Sequence, residues 1–293
     1  MTLAATTTQS VKLPQPPQAE AFSAAAFRRA LTLFNRLPAL DPARLRQSFV
    51  AKALHQRLAA GAATGYDSYL TALEQLPDDH PEWQHLIHEL TVHDTWFFRH
   101  PPSLAYIQQL LTGEFSSLDQ LRLWNVGCAY GEETWSIAIT VAGSLKQQRR
   151  SIPWQILGSD ISSRCLNKAR TGIYRQTELK YLDDATRMQY FAHAGNGLLR
   201  VTGELKQHTC FTQANICDSV TPMNAAMHIV YCQNTLIYFS SSKKQRALDN
   251  LAAALNPGGV LLLAPGEAHG WSHPAMRNIS PGNAQLELFQ RMY

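Results

Sequence analysis

Residues 121–139, LRLWNVGCAYGEETWSIAI, constrain the fold more than any other stretch of the chain. A short apolar run (Leu121, Leu123, Trp124) breaks into Asn125-Val126-Gly127-Cys128-Ala129-Tyr130-Gly131, and a helical pattern through Trp135, Ile137, Ala138 and Val141 follows. A strand, a glycine turn and a helix in that order leave unpaired backbone N–H groups in a crevice at the carboxyl end of a sheet. Strand and helix patterns then alternate to the end of the chain, which predicts an α/β fold with a mostly parallel, doubly wound sheet. The apolar runs predict strands near 121–125, 155–158, 210–213, 228–232 and 260–263, with a final pair within 276–292. Pro257-Gly258-Gly259 marks the turn into the fifth of these. The stretch GNGLLRVTGELKQ alternates like short strands without a helix signal, and predicts a small β excursion over about 190–212.

The glycine turn also bears on chemistry. Gly127 and Gly131 have no Cβ, which would let a ligand approach the backbone closely. A third glycine is missing, and Glu132-Glu133 would repel a pyrophosphate at this turn. The acidic pair suits a ligand carrying positive charge, such as the amine and sulfonium of S-adenosylmethionine. The second expected strand ends in Gly158-Ser159-Asp160, about thirty residues on. Asp160 is placed to accept the ribose hydroxyls of an adenosine, each bond contributing roughly 1.5–3 kcal/mol. The competing reading is that Asp160 caps the next helix. The fourth strand ends in Gln233-Asn234, followed by Thr235-Leu236-Ile237-Tyr238. That edge faces the crevice, so Asn234 and Tyr238 sit where a substrate would meet a cofactor, unless Tyr238 is a core aromatic. In HDTWFFR (93–99) the two phenylalanines would anchor the segment and leave Thr95 and Arg99 to project. A guanidinium there can hold a carboxylate through two parallel hydrogen bonds.

With 293 residues the chain can bury a large core and is expected to divide into a tail (1–20), a helical domain (21–91), a linker helix region (92–112) and the α/β domain (113–293). The tail carries Pro14, Pro16 and Pro17 but no apolar core, unlike a signal peptide. The longest apolar runs are too short to span a bilayer, so a cytoplasmic location is expected. Five cysteines, never in a CxxC pair, disfavour a disulfide framework and a zinc site. No histidine lies in an HExxH pattern, and His85 and His88 are read as structural, so no metal is expected. In the helical region, Asp41-Pro42 supplies an N-cap and a first-turn proline and Gly61 a stop. Phe49, Val50, Ala53, Leu54 and Leu58 form an apolar face, while Arg44, Ser48, Lys52 and His55 fall on another. That second face is either plain solvated surface or a docking stripe for an acidic helix. Residues 21–58 hold seven Arg/Lys and one acid, and 59–90 hold six acids and no Arg or Lys. Such an asymmetry can steer a charged partner.

In combination, TWFFR (95–99), GCAYGEETWS (127–136), SDISSRCLNKARTGIY (159–174), CQNTLIYF (232–239) and LNPGGVLLLAPGE (255–267) resemble the CheR chemotaxis-receptor methyltransferases from about residue 21 onward. The resemblance implies a Rossmann-like S-adenosylmethionine-dependent methyltransferase domain behind an all-helical N-terminal domain. It implies transfer of methyl to glutamate side chains of the cytoplasmic part of a methyl-accepting receptor, as a protein-glutamate O-methyltransferase. Cofactor positions would be His93, Thr95, Arg99, Gly127, Gly131, Glu133, Asp160, Asn215, Ile216, Gln233 and Asn234. Arg99 and Tyr238 would orient the transfer, and Arg44, Lys52 and His55 would meet the receptor. The chain departs from the family pattern at His93, where Asn is usual, and at Gln233, where Arg is usual. Gly266 replaces a common serine, and the β excursion is short for gripping a receptor-tail tether. A pilus-linked branch of the PilK kind is compatible with the match. The open alternatives are a non-catalytic S-adenosylmethionine sensor, a nucleic-acid methyltransferase and a nicotinamide dehydrogenase. Against the second stands the lack of an Asn/Asp-Pro-Pro-Tyr signature or aromatic-basic cluster, and against the third the incomplete glycine fingerprint. No nucleic acid, membrane insertion or metal is expected.

Overall fold

Seven strands form the central sheet of the computed structural model, which describes residues 21–37, 40–218, 226–282 and 285–293; the expected tail lies outside these. The strands are β1 (Leu121–Val126), β2 (Trp154–Asp160), β6 (Thr209–Gln213), β7 (Met227–Cys232), β8 (Leu255–Leu263), β9 (Met276–Asn278) and β10 (Glu287–Arg291). Their order is β6-β2-β1-β7-β8-β10-β9, parallel as far as β8 and antiparallel thereafter. The chain builds outward from β1 through β2 to β6 and then returns to β1's other side for β7. The connections that leave the carboxyl ends of β1 and β7 therefore run to opposite sides, which opens a crevice at the switch point.

Successive residues of the central strands feed two cores. Leu121, Leu123, Ile156, Ile229 and Leu262 join the side covered by α5 (Pro101–Thr112) and α6 (Glu132–Gln147). Trp124, Val126, Leu157, Val230 and Leu261 join the side covered by α10 (Ser241–Ala253). A sheet buried on both faces accounts for strands that are apolar throughout rather than alternating. Helix α5, expected as part of a linker, instead inserts Leu104, Ile107, Leu110 and Leu111 into the first core.

A separate bundle comprises α1 (Ala24–Phe34), α2 (Gln47–Ala59), α3 (Tyr66–Gln75) and α4 (Pro81–Leu90). Its core is built on Phe34, Val50, Leu54, Leu70, Leu73, Trp83 and Leu86. Helix α2 starts later than the Asp41-Pro42 signal suggests. Those residues open a short 3-10 turn, Pro42–Arg44, in which Asp41 accepts the Ala43 N–H. Leu45 and Arg46 are then extended, with Leu45 packed on the bundle core, before the helix begins.

The charge asymmetry of the bundle is partly satisfied internally. Arg29 pairs with Glu74 at 2.7 Å, Arg36 with Asp78, and Arg57 with Glu82 at 2.8 Å. Three of the seven basic residues of the first half are thus taken up by acids of the second, which reduces the excess that could steer a partner. Gly61, with φ +83°, ends α2 as expected.

The β excursion is larger than the sequence signalled. Strands β3 (Ile173–Arg175), β4 (Phe191–Gly195) and β5 (Leu198–Val201) form an antiparallel sheet in the order β3-β5-β4. It begins at residue 173, because a three-residue strand carries too little periodicity to be read. The intervening helix α8 (Asp184–Tyr190) and the one-turn helix α9 (Gly203–Lys206) add to it, and 209–213 is β6 of the main sheet. Asn196 and Gly197, both at positive φ, make the tight turn between β4 and β5. Among the described residues, no helix is long and apolar enough to cross a membrane.

Candidate active site

A cavity opens at the carboxyl ends of β1, β2 and β7. Its walls include His93, Thr95, Arg99, Gly127, Glu133, Asp160, Asn215, Ile216, Gln233, Asn234 and Tyr238. Gly131 is not among them. It stands at the N-cap of α6 with φ +94°, where an added Cβ would lie 2.8 Å from the Ala169 Cβ of helix α7 (Ser163–Thr171). Its missing side chain serves helix packing and a left-handed turn rather than ligand approach. Gly127, on the wall, has φ +70°, and a Cβ there would meet Thr235 Oγ1 at 2.2 Å.

The floor is acidic and buried. Helix α6 begins with Glu132-Glu133, and only Glu133 faces the cavity. Its carboxylate accepts from Asn125 Nδ2 at 2.7 Å, and Thr134 Oγ1 donates to Asn125 Oδ1 at 2.5 Å, fixing that amide's orientation. Burial pushes the Glu133 carboxyl up to about 8, against the opposing influence of the Asn125 bond and the Arg99 charge. Glu132 is pushed up to about 7 by burial, and its Oε2 has no hydrogen-bond partner among the described residues.

At the end of β2, Asp160 accepts the N–H of Ala129 at 2.9 Å and that of Ser162 at 2.8 Å. Burial raises its pKa, while those N–H groups act the other way. Each oxygen keeps a second lone pair for a ligand hydroxyl. The Ala129 bond also holds a non-glycine residue at φ +45° in the turn. Helix α7 is capped by Ser162, whose hydroxyl accepts the Cys165 N–H. The helix-cap reading of Asp160 is therefore displaced.

Above this floor lie Arg99 and Tyr238. The guanidinium of Arg99 donates to Asp94 O at 2.5 Å and stacks over Trp96, 4.6 Å from the ring centroid. Phe97 is fully buried against Tyr174 and Phe191, as an anchor should be. Tyr238 is 37% exposed, which excludes the core-aromatic reading. Burial of its ring still raises its pKa.

Several wall positions depend on residues that the sequence did not single out. Asn234 sits at φ +57°, and His100 Nε2 lies 2.7 Å from its Oδ1. Glu267, wholly buried, accepts the N–H of Leu236 at 2.9 Å and of Ala264 at 3.0 Å, clamping the loop after β7. Asn125 was detectable as the one amide in an apolar strand. The Gln233 side chain turns away from the cavity, donating to Ser103 Oγ at 2.6 Å and accepting from Tyr231 Oη at 3.0 Å. His93 turns towards Cys165 Sγ, 3.2 Å from its Nδ1.

The docking stripe does not assemble as one surface. Arg44 precedes α2, pairs with Asp41 at 3.3 Å and donates to Ile237 O at 2.9 Å, beside Tyr238. It ties the bundle to the active-site loop, as does Lys243, which donates to Leu40 O at 2.7 Å. Lys52 and His55 remain exposed on α2 without an ion pair among the described residues.

Residues 93–283 match the family model described as "CheR methyltransferase, SAM binding domain". The chain belongs to the CheR methyltransferase family. It is 32% identical over 287 residues to the chemotaxis protein methyltransferase of Escherichia coli K12, covering 96% of each chain. Identity to that of Salmonella typhimurium LT2 is 32% over 265 residues, covering 88% of this chain and 89% of the relative. The probable biofilm formation methyltransferase WspC of Pseudomonas putida is 30% identical over 258 residues, covering 86% of this chain and 58% of that one. CheR membership makes the chain an S-adenosylmethionine-dependent methyltransferase of the chemotaxis type with a Rossmann-like sheet. A buried carboxylate facing a cavity with no ion-pair partner among the described residues fits the amine of that cofactor. Asp160 fits its ribose.

Proposed function

We propose that this protein transfers methyl from S-adenosylmethionine to glutamate side chains of a chemoreceptor's cytoplasmic region, forming glutamyl methyl esters in the cytoplasm. The observation that carries this reading is the order of charges along one cavity. Buried carboxylates line its floor, and a half-buried guanidinium and an exposed phenol line its outer part. In this reading Glu133 takes the amine, Asp160 the ribose hydroxyls, and Asn215 and Ile216 line the remaining wall.

When bound, the cofactor supplies an electrophilic methyl carbon and a neutral thioether leaving group. A glutamate with a pKa of about 4.3 is already ionised near neutrality, so its oxygen attacks without a general base. The work left to the protein is orientation and exclusion of water, and effective molarities on the order of 10⁵–10⁸ M are attainable that way. Arg99 offers two parallel N–H donors to the incoming carboxylate, and its stack on Trp96 and bond to Asp94 O limit its rotamers. Tyr238, on the same cavity wall, offers a hydroxyl. No acid or base of the chain gains or loses a proton in the transfer.

Incubation with methyl-labelled S-adenosylmethionine and receptor-bearing membranes tests the proposal. Label in the receptor, released as methanol by mild alkali, is the expected result. Alkali-stable label, or none despite bound cofactor, would refute esterification.

A further inference from the structure

Beneath the cofactor cavity, three elements bring two imidazoles and a thiol together. His88 comes from α4 of the bundle, His93 from the segment that enters the methyltransferase unit, and Cys165 from α7. One ligand atom from each lies within 4.8 Å of the other two. Cys165 Sγ is 3.2 Å from His93 Nδ1 and 3.7 Å from His88 Nδ1. Bonds of about 2.3 Å to sulfur and about 2.0–2.1 Å to nitrogen in a tetrahedral shell place such atoms roughly 3.5 Å apart. Both sulfur–nitrogen distances are therefore within a few tenths of an ångström of those in a shared ligand set. We propose that His88, His93 and Cys165 bind a borderline-soft divalent cation of the zinc class, pinning the helical bundle to α7.

The hydrogen bonds around His93 decide its tautomer. Nε2 lies 3.0 Å from His88 O and 2.9 Å from Thr91 Oγ1. The carbonyl can only accept, and the Thr91 hydroxyl already donates to Ile87 O at 2.7 Å. Both neighbours of Nε2 are acceptors, so the ring proton sits there and Nδ1 presents its lone pair to the sulfur. A ligating histidine fixed by its second nitrogen on a backbone carbonyl is the arrangement that metal sites use. Both Nδ1 atoms face the Cys165 sulfur. The two rings are stacked at 4.5 Å and 15°, so their in-plane lone pairs run side by side and binding one ion turns one imidazole out of the stack. His88 Nδ1 now contacts Ser162 Oγ at 2.9 Å, an interaction that the cation would replace.

Donor chemistry selects the ion. Two imidazoles and a thiolate favour zinc-like ions over magnesium or calcium, which prefer oxygen. Cys165 is wholly buried and His88 nearly so, while His93 forms part of the cavity wall and gives the ion a route in. A fourth ligand would be water from that side. On binding, the Cys165 S–H bond breaks, a sulfur–metal bond forms, and the proton leaves to solvent.

Cobalt(II) is the probe. The reduced, chelator-treated full chain is titrated with cobalt while the thiolate-to-cobalt charge-transfer band and the tetrahedral d–d bands are followed. One equivalent is expected to develop both, and zinc to bleach them. His93→Gln, at a half-buried position, should weaken cobalt binding about tenfold or more. Cys165→Ser should abolish the charge-transfer band, while Cys210→Ser, at an exposed cysteine, should retain it. Absence of a thiolate band in the wild-type chain overturns the proposal and needs no variant to fold. So does a band that survives Cys165→Ser or is lost only in Cys210→Ser; either would leave a plain thiol–imidazole hydrogen bond.

Discussion

The cofactor cavity and the basic face of α2 were both legible as charged features of the sequence, yet they handle charge in opposite ways. In the cavity, Glu133 and Asp160 are buried, raised in pKa, and held by neutral donors that leave capacity for a ligand. In the bundle, Arg29, Arg36 and Arg57 meet acids from the second half of the bundle and are satisfied before any partner arrives. A carboxylate kept from water without a cation is prepared for one. An exposed charge with a partner is a small stabilising contact, worth about 0–1 kcal/mol. Burial and partnering, rather than charge count, mark the functional region.

Substitutions can break or sharpen that contrast. The largest effect is expected at Asp160, where Asp160→Asn removes charged acceptors and turns an amide against the Ala129 N–H. Cofactor affinity measured by calorimetry should fall by about 100-fold or more. Next comes Arg99→Ala, which should lower the turnover of receptor methylation about 100-fold while changing cofactor affinity by less than about threefold. Equal loss of both would reduce Arg99 to a cofactor ligand.

The third concerns pH. Glu133 sits at about 8 in the free protein, above the ordinary 4.5, so it holds a proton that the bound amine must expel. Affinity for S-adenosylmethionine should therefore rise with pH by about tenfold per unit below that value and level off above it. Calorimetry in buffers of different ionisation enthalpy should register the released proton. The same raised acid makes the cofactor-free fold lose stability as pH climbs from the ordinary value to about 8.

Gly131→Ala should lower thermal stability by about 1–3 kcal/mol through the Ala169 contact and the left-handed backbone. It should leave cofactor affinity nearly unchanged, since the residue lies off the wall. The smallest effect belongs to the bundle. Lys52→Glu should raise the Michaelis constant for receptor up to about fivefold without altering turnover. No change there would remove α2 from the docking surface.

How far the sequence could be read follows the same division. The central strands were visible because burial on both faces produces nearly unbroken apolar runs, as at 260–263. Glu133, Asp160, Asn234 and Tyr238 were visible because they punctuate those runs at carboxyl ends. Gly131 was misread because a left-handed cap and a ligand-facing turn demand the same residue. Arg44 was misread because an Asp-Pro signal opens a 3-10 turn as readily as a helix. The support given by His100, Asn125 and Glu267 joins positions far apart in the chain, which local pattern does not encode.

The most direct test is tandem mass spectrometry of a receptor signalling fragment after reaction with the wild-type protein and with Arg99→Ala. The account predicts methyl groups on glutamate side-chain carboxyls with the wild type, and their near absence with the variant even at saturating cofactor. Methylation on any other atom, or equal esterification by both proteins, would contradict it.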